Sequence, residues 1–309
     1  MPAGRGRVKT ATKLTTTAAA RVPLLRAATN AAVAVALLLA AAKTAVYLVN
    51  GSVALLASAL DSALDATASL LNALAVRYAL APPDADHRFG HGKSEALAGV
   101  AQALFIAVSG GFVIVRAVLR LIEPQPLTAA LPAVLVMFAS LVLTVALVAF
   151  QARVVASTGS AAIRADALHY ASDVASNAAA LLALLLARAG WLRADPCFGI
   201  LIAAVTLYGA GRIGAESLAT LMDHELPEQA RTQIERIVLT HALVRGMHAL
   251  RTRRSGSTIV IQFHIELDPA TSVADANGIA HDVQAAVGHA FPDADVTIHQ
   301  DPVGQPCER

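Results

Sequence analysis

Two aspartates lie four positions apart inside a long apolar stretch of this chain. Asp61 and Asp65 occur in ALDSALDATASLLN, and apolar residues extend far to either side. In a helix this spacing puts both carboxylates on one face, about 6 Å apart along the axis. An aspartate at mid-membrane costs about 2.5–3.5 kcal/mol, and adjacent carboxylates repel unless a cation or protons lie between them. The pair therefore predicts an intramembrane metal or proton site.

A later apolar stretch repeats the spacing with a histidine. DALHYASDVASN places His169 and Asp173 four positions apart. With Asp61 and Asp65 they make four ligands from two helices, the usual number for tetrahedral Zn²⁺. Single polar residues in membrane helices more often bond helices together, and we expect that role for Thr67, Ser69, Asn72 and Asn177. Lys43 is expected to snorkel to the outer interface.

Two more clusters contain metal-ligand residue types. The segment PPDADHRFGHGKSE presents Asp84, His87 and His91 next to glycines that permit a tight backbone. The C-terminal part of the chain offers three histidines and an aspartate: His248, His264, His299 and Asp301. Each set could hold a metal ion, and the alternative for each is a solvated surface with incidental histidines.

Membrane helices must position the first four residues. The chain is 56% hydrophobic and 15% charged, with a mean hydropathy of +0.58, whereas soluble domains carry roughly 25% charged residues. Spanning the hydrocarbon core takes about 20 apolar residues. Six stretches qualify: 28–49, 53–80, 95–122, 129–152, 160–189 and 197–221. The sequence predicts a six-helix membrane domain over 28–222.

Basic residues set the orientation. Residues 1–27 form a basic arm, and the loops 81–94 and 151–160 carry further arginine and lysine, whereas the Asn50-Gly51-Ser52 turn has no charge. By the positive-inside rule both termini of this multi-pass protein are expected in the cytoplasm. The arm could instead be a transit peptide, but the apolar run up to Val49 is longer than a cleavable signal core.

A smaller domain follows the membrane helices. The sequence predicts an αββαβ order over residues 223–303, with strands joined by a Ser255-Gly256 turn and a second helix at about 272–290. His264 and His299 alternate with apolar residues, so both are expected on the polar face of their strands. A tail, 304–309, completes the chain.

Other function classes find little support. Gly209, Gly211 and Gly214 match G-x-G-x-x-G, but inside the sixth apolar span and outside any βαβ unit. Cys197 and Cys307 lack the spacing of a disulfide framework or metal site. A net charge of +2 implies no nucleic-acid partner. The sequence has no nucleophile–base pairing or phosphate loop that would indicate an enzyme.

Four segments, in this order along the chain, resemble those of a known family: NGSVALLASALDSALD, HRFGHGKSEALA, ADALHYASD and HALRTRRSG. With the terminal αββαβ domain, they make the chain similar to the cation diffusion facilitator family, and within it to the YiiP-type bacterial zinc and cadmium exporters. The resemblance implies a homodimer in the lipid bilayer that exports Zn²⁺, and also Cd²⁺, against inward proton flow by alternating access. The cytoplasmic domain would sense metal by tightening the dimer.

The resemblance also assigns roles to the candidate residues. Four match the transport site: Asp61, Asp65, His169 and Asp173. Three match a loop site: Asp84, His87 and His91. Four match ligands of a binuclear cytoplasmic zinc site: His248, His264, His299 and Asp301. Lys93 and Asp223 match an ion pair that interlocks the two subunits.

One position departs from the family pattern. Asn277 stands where the family has a further histidine, and an amide oxygen is a poorer zinc ligand than imidazole. His281 is one helical turn away, about 6 Å, whereas metal sites tolerate about 0.2 Å. We expect one of the two cytoplasmic metals to bind weakly or not at all.

Two alternatives stay open. Carboxylate-rich sites also suit Fe²⁺ or Mn²⁺, although His169 favours Zn²⁺. A membrane metal sensor that does not transport would need the cytoplasmic ligands but not the four intramembrane residues.

Overall fold

Six long helices precede a small α+β domain, in the predicted order. The computed structural model describes residues 18–50, 53–123, 131–189, 191, 193–256, 258–292 and 294–304. The long helices are α1 Ala18–Asn50, α2 Val53–Ala79, α3 Lys93–Ile122, α4 Leu131–Thr158, α5 Ala161–Arg188 and α6 Ala194–Leu221. The later elements are α7 Glu228–Leu239, β1 Gly246–Ser255, β2 Thr258–Leu267, α8 Val273–Ala290 and β3 Ala294–Pro302.

Four of the six helices are longer than the apolar stretches predicted for them, whereas α2 and α5 are one and two residues shorter. α1 begins at Ala18, so the basic arm predicted for 1–27 is helical in its last part, because alanine and leucine favour helix beyond the apolar run. Most of the arm, the Gly51-Ser52 turn, Cys307 and most of the tail lie outside the described residues.

Four of the six helices are long and apolar enough to cross a membrane. Within the described residues these spans are Arg21–Val49, Lys93–Ile122, Val134–Thr158 and Ala194–Leu221. α2 and α5 are not among them, and they are the two helices that carry the ionisable candidates. Polar residues that lower the hydropathy of a helix in a bundle are expected to face its neighbours.

Small residues allow the membrane helices to approach closely. A Cβ added to Gly209 would lie 2.9 Å from Leu168, and one added to Gly214 would lie 3.2 Å from Ala103. Two glycines of the G-x-G-x-x-G pattern therefore serve helix packing.

The C-terminal domain is a three-stranded sheet that packs on two helices. The strand order is β1-β2-β3, with β1 and β2 antiparallel and β2 and β3 parallel. Its core consists of fully buried residues from α7, β2 and α8: Ile234, Val238, Ile261, Phe263, Ile265, Val283 and Val287. Each such side chain contributes about 1.5–3 kcal/mol by leaving water.

The two domains meet at the β1–β2 turn. A Cβ added to Gly92 would lie 2.6 Å from the carbonyl oxygen of Ser255, and one added to Gly256 would lie 2.8 Å from Gly92 Cα. Nearby, the Arg253 guanidinium lies 5.2 Å from the centre of the Phe89 ring. The loop before α3 therefore touches the hairpin backbone to backbone.

Candidate metal centres

The intramembrane cluster consists of Asp65 from α2 and His169 and Asp173 from α5. His169 Nε2 lies 3.0 Å from Asp65 Oδ1 and 3.7 Å from Asp173 Oδ2. One candidate ligand atom of each residue lies within 4.8 Å of the others, and His169 is 7% exposed. The i, i+4 spacing on α5 and the packing of α5 against α2 therefore point three ligands at one centre.

The fourth predicted residue is not in this group. Asp61 lies one turn before Asp65 and lines the same cavity of about 180 Å³ as Asp65 and Asp173. Asn177 also lines that cavity. Three of the four predicted ligands thus line one cavity: Asp61, Asp65 and Asp173. His169 is in ligand reach of Asp65 and Asp173, whereas Asp61 is not part of that group.

Lys43 does not extend to the interface, so the snorkelling prediction is wrong. Its Nζ donates to the buried Ser62 hydroxyl at 2.7 Å, and the side chain lines the cavity that Asp61 lines. The reason is that a hydroxyl and several carboxylates inside the bundle offer an ammonium group hydrogen bonds and opposite charge.

The residues expected to bond helices together divide into two groups. Ser69 reaches α5, with its hydroxyl 2.7 Å from that of Tyr170, and Asn72 Nδ2 donates to the Ala162 carbonyl at 3.5 Å. Thr67 instead donates to the Ala63 carbonyl of its own helix, because its side chain is on the exposed face of α2. For Thr67 the expected role is therefore wrong.

Asp166 is a buried carboxylate that the sequence analysis did not single out. It is 1% exposed and accepts from Gln151 Nε2 at 2.6 Å and from the Ser69 hydroxyl at 3.5 Å. The Tyr170 hydroxyl extends this network to the Ala32 carbonyl of α1. The signal was present, since Asp166 precedes His169 by three positions, on the same face of α5. The network joins four helices on the cytoplasmic-domain side of the intramembrane cluster.

The loop cluster consists of Asp84, His87 and His91. Asp84 Oδ1 lies 3.2 Å from His87 Nδ1, and Asp84 Oδ2 lies 3.2 Å from His91 Nε2. His91 is buried beside the Tyr78 ring, whereas Asp84 and His87 are exposed. The backbone N–H of His87, which donates to Asp84 Oδ1 at 2.6 Å, lowers the pKa of Asp84 below its usual range. The loop therefore presents an ionised carboxylate between two imidazoles.

Strand register builds the cytoplasmic cluster, which consists of His248, His264 and Asp301. His248 pairs with His264 across β1 and β2, and His264 pairs with His299 across β2 and β3. Asp301 Oδ2 lies 2.8 Å from His264 Nδ1 and 3.1 Å from His248 Nε2. The hydrogen bond from His264 is the main cause that lowers the pKa of Asp301.

His299 lies at the edge of the cytoplasmic cluster. Its Nε2 is 3.2 Å from Asp301 Oδ1, and its side chain is 66% exposed. His264 and His299 both lie off the buried face of the sheet, as the alternation predicted. Within the described residues His281 does not join the group. Asn277 and His281 are both exposed on α8.

Glu266 is a second carboxylate that sequence reasoning missed at the cytoplasmic cluster. Its Oε1 lies 3.2 Å from His248 Nδ1, the ring nitrogen that does not face Asp301. A histidine that binds metal through one nitrogen commonly donates the other N–H to a carboxylate, which fixes the ring. Strand alternation from His264 to Glu266 was the available signal.

Lys93 and Asp223 form an ion pair within one chain. Lys93 Nζ lies 2.8 Å from Asp223 Oδ1, and Arg253 lies 3.3 Å from Asp223 Oδ2. The bond from Lys93 is the main cause that lowers the pKa of Asp223. Within one chain the pair connects the start of α3 to the end of α6.

Comparisons with known proteins cover both domains. Residues 30–222 match the family described as Cation efflux transmembrane domain, and residues 226–303 match Cation efflux protein, cytoplasmic domain. A protein named cation-efflux pump FieF from Pectobacterium atrosepticum is 47% identical over 82% of this chain and 84% of its own length. The protein of that name from Klebsiella pneumoniae is also 47% identical, over the same shares. The one from Shewanella oneidensis is 45% identical over 84% of this chain and 88% of its own length.

Proposed function

Since this chain belongs to the cation diffusion facilitator family and is a cation efflux transporter, we propose that it exports Zn²⁺, and also Cd²⁺, from the cytoplasm in exchange for protons. The observation that carries the proposal is the intramembrane cluster. Asp65, His169 and Asp173 bring one imidazole and two carboxylates into mutual reach between two membrane helices. An imidazole in a carboxylate set favours Zn²⁺ over the harder Mn²⁺.

Competition between protons and metal supplies the coupling. Zn²⁺ needs ionised carboxylates and neutral imidazole, so each metal ion that binds displaces protons. A site that faces the near-neutral cytoplasm loads metal. When the site faces a more acidic exterior, His169 and the carboxylates take up protons and the metal leaves. Alternating access then turns a proton gradient into metal efflux.

The proposed assembly is a homodimer in the inner membrane with both termini in the cytoplasm. The match of residues 226–303 to the cytoplasmic domain of cation efflux proteins supports the dimer. The arginine and lysine residues of the arm and of the loops 81–94 and 151–160 support the orientation. The Lys93–Asp223 pair lies where the two domains meet, and we assign it to the dimer interface.

The cytoplasmic cluster is proposed to sense metal. A metal ion held by His248, His264 and Asp301, with His299 beside them, would fix three strands relative to one another. Metal binding to such a surface site is proposed to tighten the dimer. Because Asn277 replaces a histidine of the family pattern, one of the two cytoplasmic metal positions is proposed to be weak.

Flux measurements test the transport function. Purified protein is reconstituted into proteoliposomes with a zinc indicator inside, and uptake is followed with and without an imposed pH gradient. The parent should show proton-dependent Zn²⁺ flux, and Asp65→Ala should abolish it. Thr67→Ala is the matched control, since Thr67 is on the same helix but bonded to its own backbone.

Flux in Asp65→Ala equal to that of the parent would refute the assignment of the transport site. A parent that binds Zn²⁺ without any proton-dependent flux would favour the sensor over the exporter.

A further inference from the structure

Lys43 is a cation placed among the carboxylates of the transport cavity. Its position is about 10 Å along α1 from the end of that helix at Asn50. Of the described residues that line the cavity, Lys43 is the one lysine or arginine, and three are aspartates: Asp61, Asp65 and Asp173. The side chain thus lies where a transported cation is proposed to bind.

A buried hydroxyl holds the ammonium group in place. Lys43 Nζ donates to Ser62 Oγ at 2.7 Å, and Ser62 is 3% exposed. Ser62 and Asp61 both line the cavity, so the contact keeps the positive charge inside it. A lysine without such a partner would extend to the lipid headgroups.

The formal charges in the cavity add up to −2 before metal binds. With three ionised aspartates and neutral His169, the state that binds metal, the carboxylates contribute −3. Lys43 brings the total to −2, which one divalent cation neutralises. An uncompensated charge in a low-dielectric site is costly. Counting His169 and the charged residues that line the cavity, the loaded total is therefore zero with Lys43 and −1 without it. Asp166 does not line the cavity, and its carboxylate accepts from Gln151 and Ser69.

We propose that Lys43 is a tethered counter-ion that sets the cavity to a charge of −2 and thereby limits how tightly a divalent cation is held. The ammonium repels the cargo, so it weakens binding and speeds release. A transporter needs a site that binds strongly enough to load and weakly enough to unload. This inference rests on the proposed function, because it takes the intramembrane cluster as the transport site.

Two substitutions separate charge from shape. Lys43→Met keeps the length of the side chain and removes the charge, whereas Lys43→Arg keeps the charge. Both are made in full-length protein that also carries His87→Ala and His264→Ala, which remove ligands from the other two clusters. Zn²⁺ affinity is measured at pH 7 by competition with a fluorescent chelator, and zero-trans flux is measured in proteoliposomes.

Lys43→Met should bind Zn²⁺ at least tenfold more tightly than its background. The Zn²⁺ concentration at half-maximal flux and the maximal flux should both fall, because release slows. Lys43→Arg should stay within threefold of the background in affinity. A purely structural role for Lys43 would weaken binding, since a disturbed cavity holds metal less well.

The inference is overturned if Lys43→Met binds Zn²⁺ as its background does, or more weakly, while eluting as a single folded species. It is also overturned if Lys43→Arg tightens binding as much as Lys43→Met. Asp65→Ala in the same background tests the transport site separately from the role of Lys43. If the background itself shows no Asp65-dependent Zn²⁺ binding, the transport site fails, whatever the result at Lys43.

Discussion

The intramembrane and cytoplasmic clusters contain similar residue types but are built by different elements. In the membrane one helix turn and one helix contact bring Asp65, His169 and Asp173 together, and His169 is 7% exposed. In the cytoplasmic domain each ligand comes from a different strand, on the exposed face of the sheet. The first cluster has more carboxylates and the second more imidazoles.

This difference indicates two kinds of metal binding. A buried, carboxylate-rich site has a high charge, and its affinity for metal depends on every nearby charge, including that of Lys43. In a partly exposed histidine-rich site, affinity depends on ligand geometry and on carboxylates that lie behind the ligands, as Glu266 lies behind His248. The first is suited to loading and release, and the second to lasting occupancy.

The sharpest test of the comparison removes one histidine from each cluster. His169→Ala should reduce proton-driven Zn²⁺ flux at least hundredfold, because the transport site loses its only imidazole. His264→Ala should reduce flux less than tenfold, because cargo does not bind there. Stopped-flow measurements on proteoliposomes compare the two. Equal losses would break the distinction between a transport site and a sensing site.

A second test concerns the carboxylate behind His248. Glu266→Gln should weaken Zn²⁺ binding to the cytoplasmic cluster by about 10–100-fold, because the carboxylate 3.2 Å from His248 Nδ1 would lose the charge that can orient a metal-bound ring. Calorimetric titration of full-length protein carrying His87→Ala and Asp65→Ala isolates that cluster.

Asp295→Asn serves as the control, since Asp295 is an exposed carboxylate at the start of β3. If Glu266→Gln binds Zn²⁺ with unchanged affinity, ligand geometry alone accounts for metal binding at the cytoplasmic cluster.

The third test concerns metal selectivity and His169, which provides the imidazole of the intramembrane cluster. His169→Asp should shift the ratio of Zn²⁺ to Mn²⁺ flux toward Mn²⁺ by about tenfold, because carboxylate oxygens suit the harder ion. Parallel flux assays with each metal measure the ratio. An unchanged ratio would show that the imidazole is not the selector and would favour the Fe²⁺ or Mn²⁺ exporter.

The smallest expected effect is at the domain junction. The bond from Lys93 lowers the pKa of Asp223 in the folded protein. The ion pair therefore contributes its full stabilisation above the unfolded pKa of about 3.9. That contribution disappears as the pH falls through the lower pKa of the folded state. Asp223→Asn should therefore speed hydrogen exchange in the β1–β2 hairpin only slightly, and equally at pH 5 and pH 7. The pair is over a third exposed, so screening limits its effect.

A difference between parent and variant that appears at pH 7 and vanishes at pH 5 would contradict this assignment, since Asp223 is ionised at both values.

The sequence predicts the ligand sets better than their surroundings. The i, i+4 spacing identified three residues that meet in the intramembrane cluster, since helix geometry fixes which residues share a face. The position of Lys43 and the partners of Asp166 depend on how α1, α4 and α5 are rotated against α2. Spacing along one helix does not contain that information.

Strand geometry limited the prediction in the cytoplasmic domain. The alternation of β2 and β3 correctly put His264 and His299 off the apolar face. On β1 the register shifts between His248 and Arg251, where Ala249 has a φ of 52°. This bulge turns Thr252 to the core side, which simple alternation does not predict.

The backbone contact between Gly92 and the β1–β2 turn restricts how the protein can be recombined. At the point of contact the two backbones touch directly, so a bulkier residue at either glycine would collide with backbone atoms of the other segment. A chimaera that takes its cytoplasmic domain from a relative should keep this contact only if the grafted β1–β2 turn has glycine at the position of Gly256. The two domains can thus be exchanged between relatives as modules only if glycine is kept at both contact positions, Gly92 in the membrane domain and Gly256 in the cytoplasmic domain.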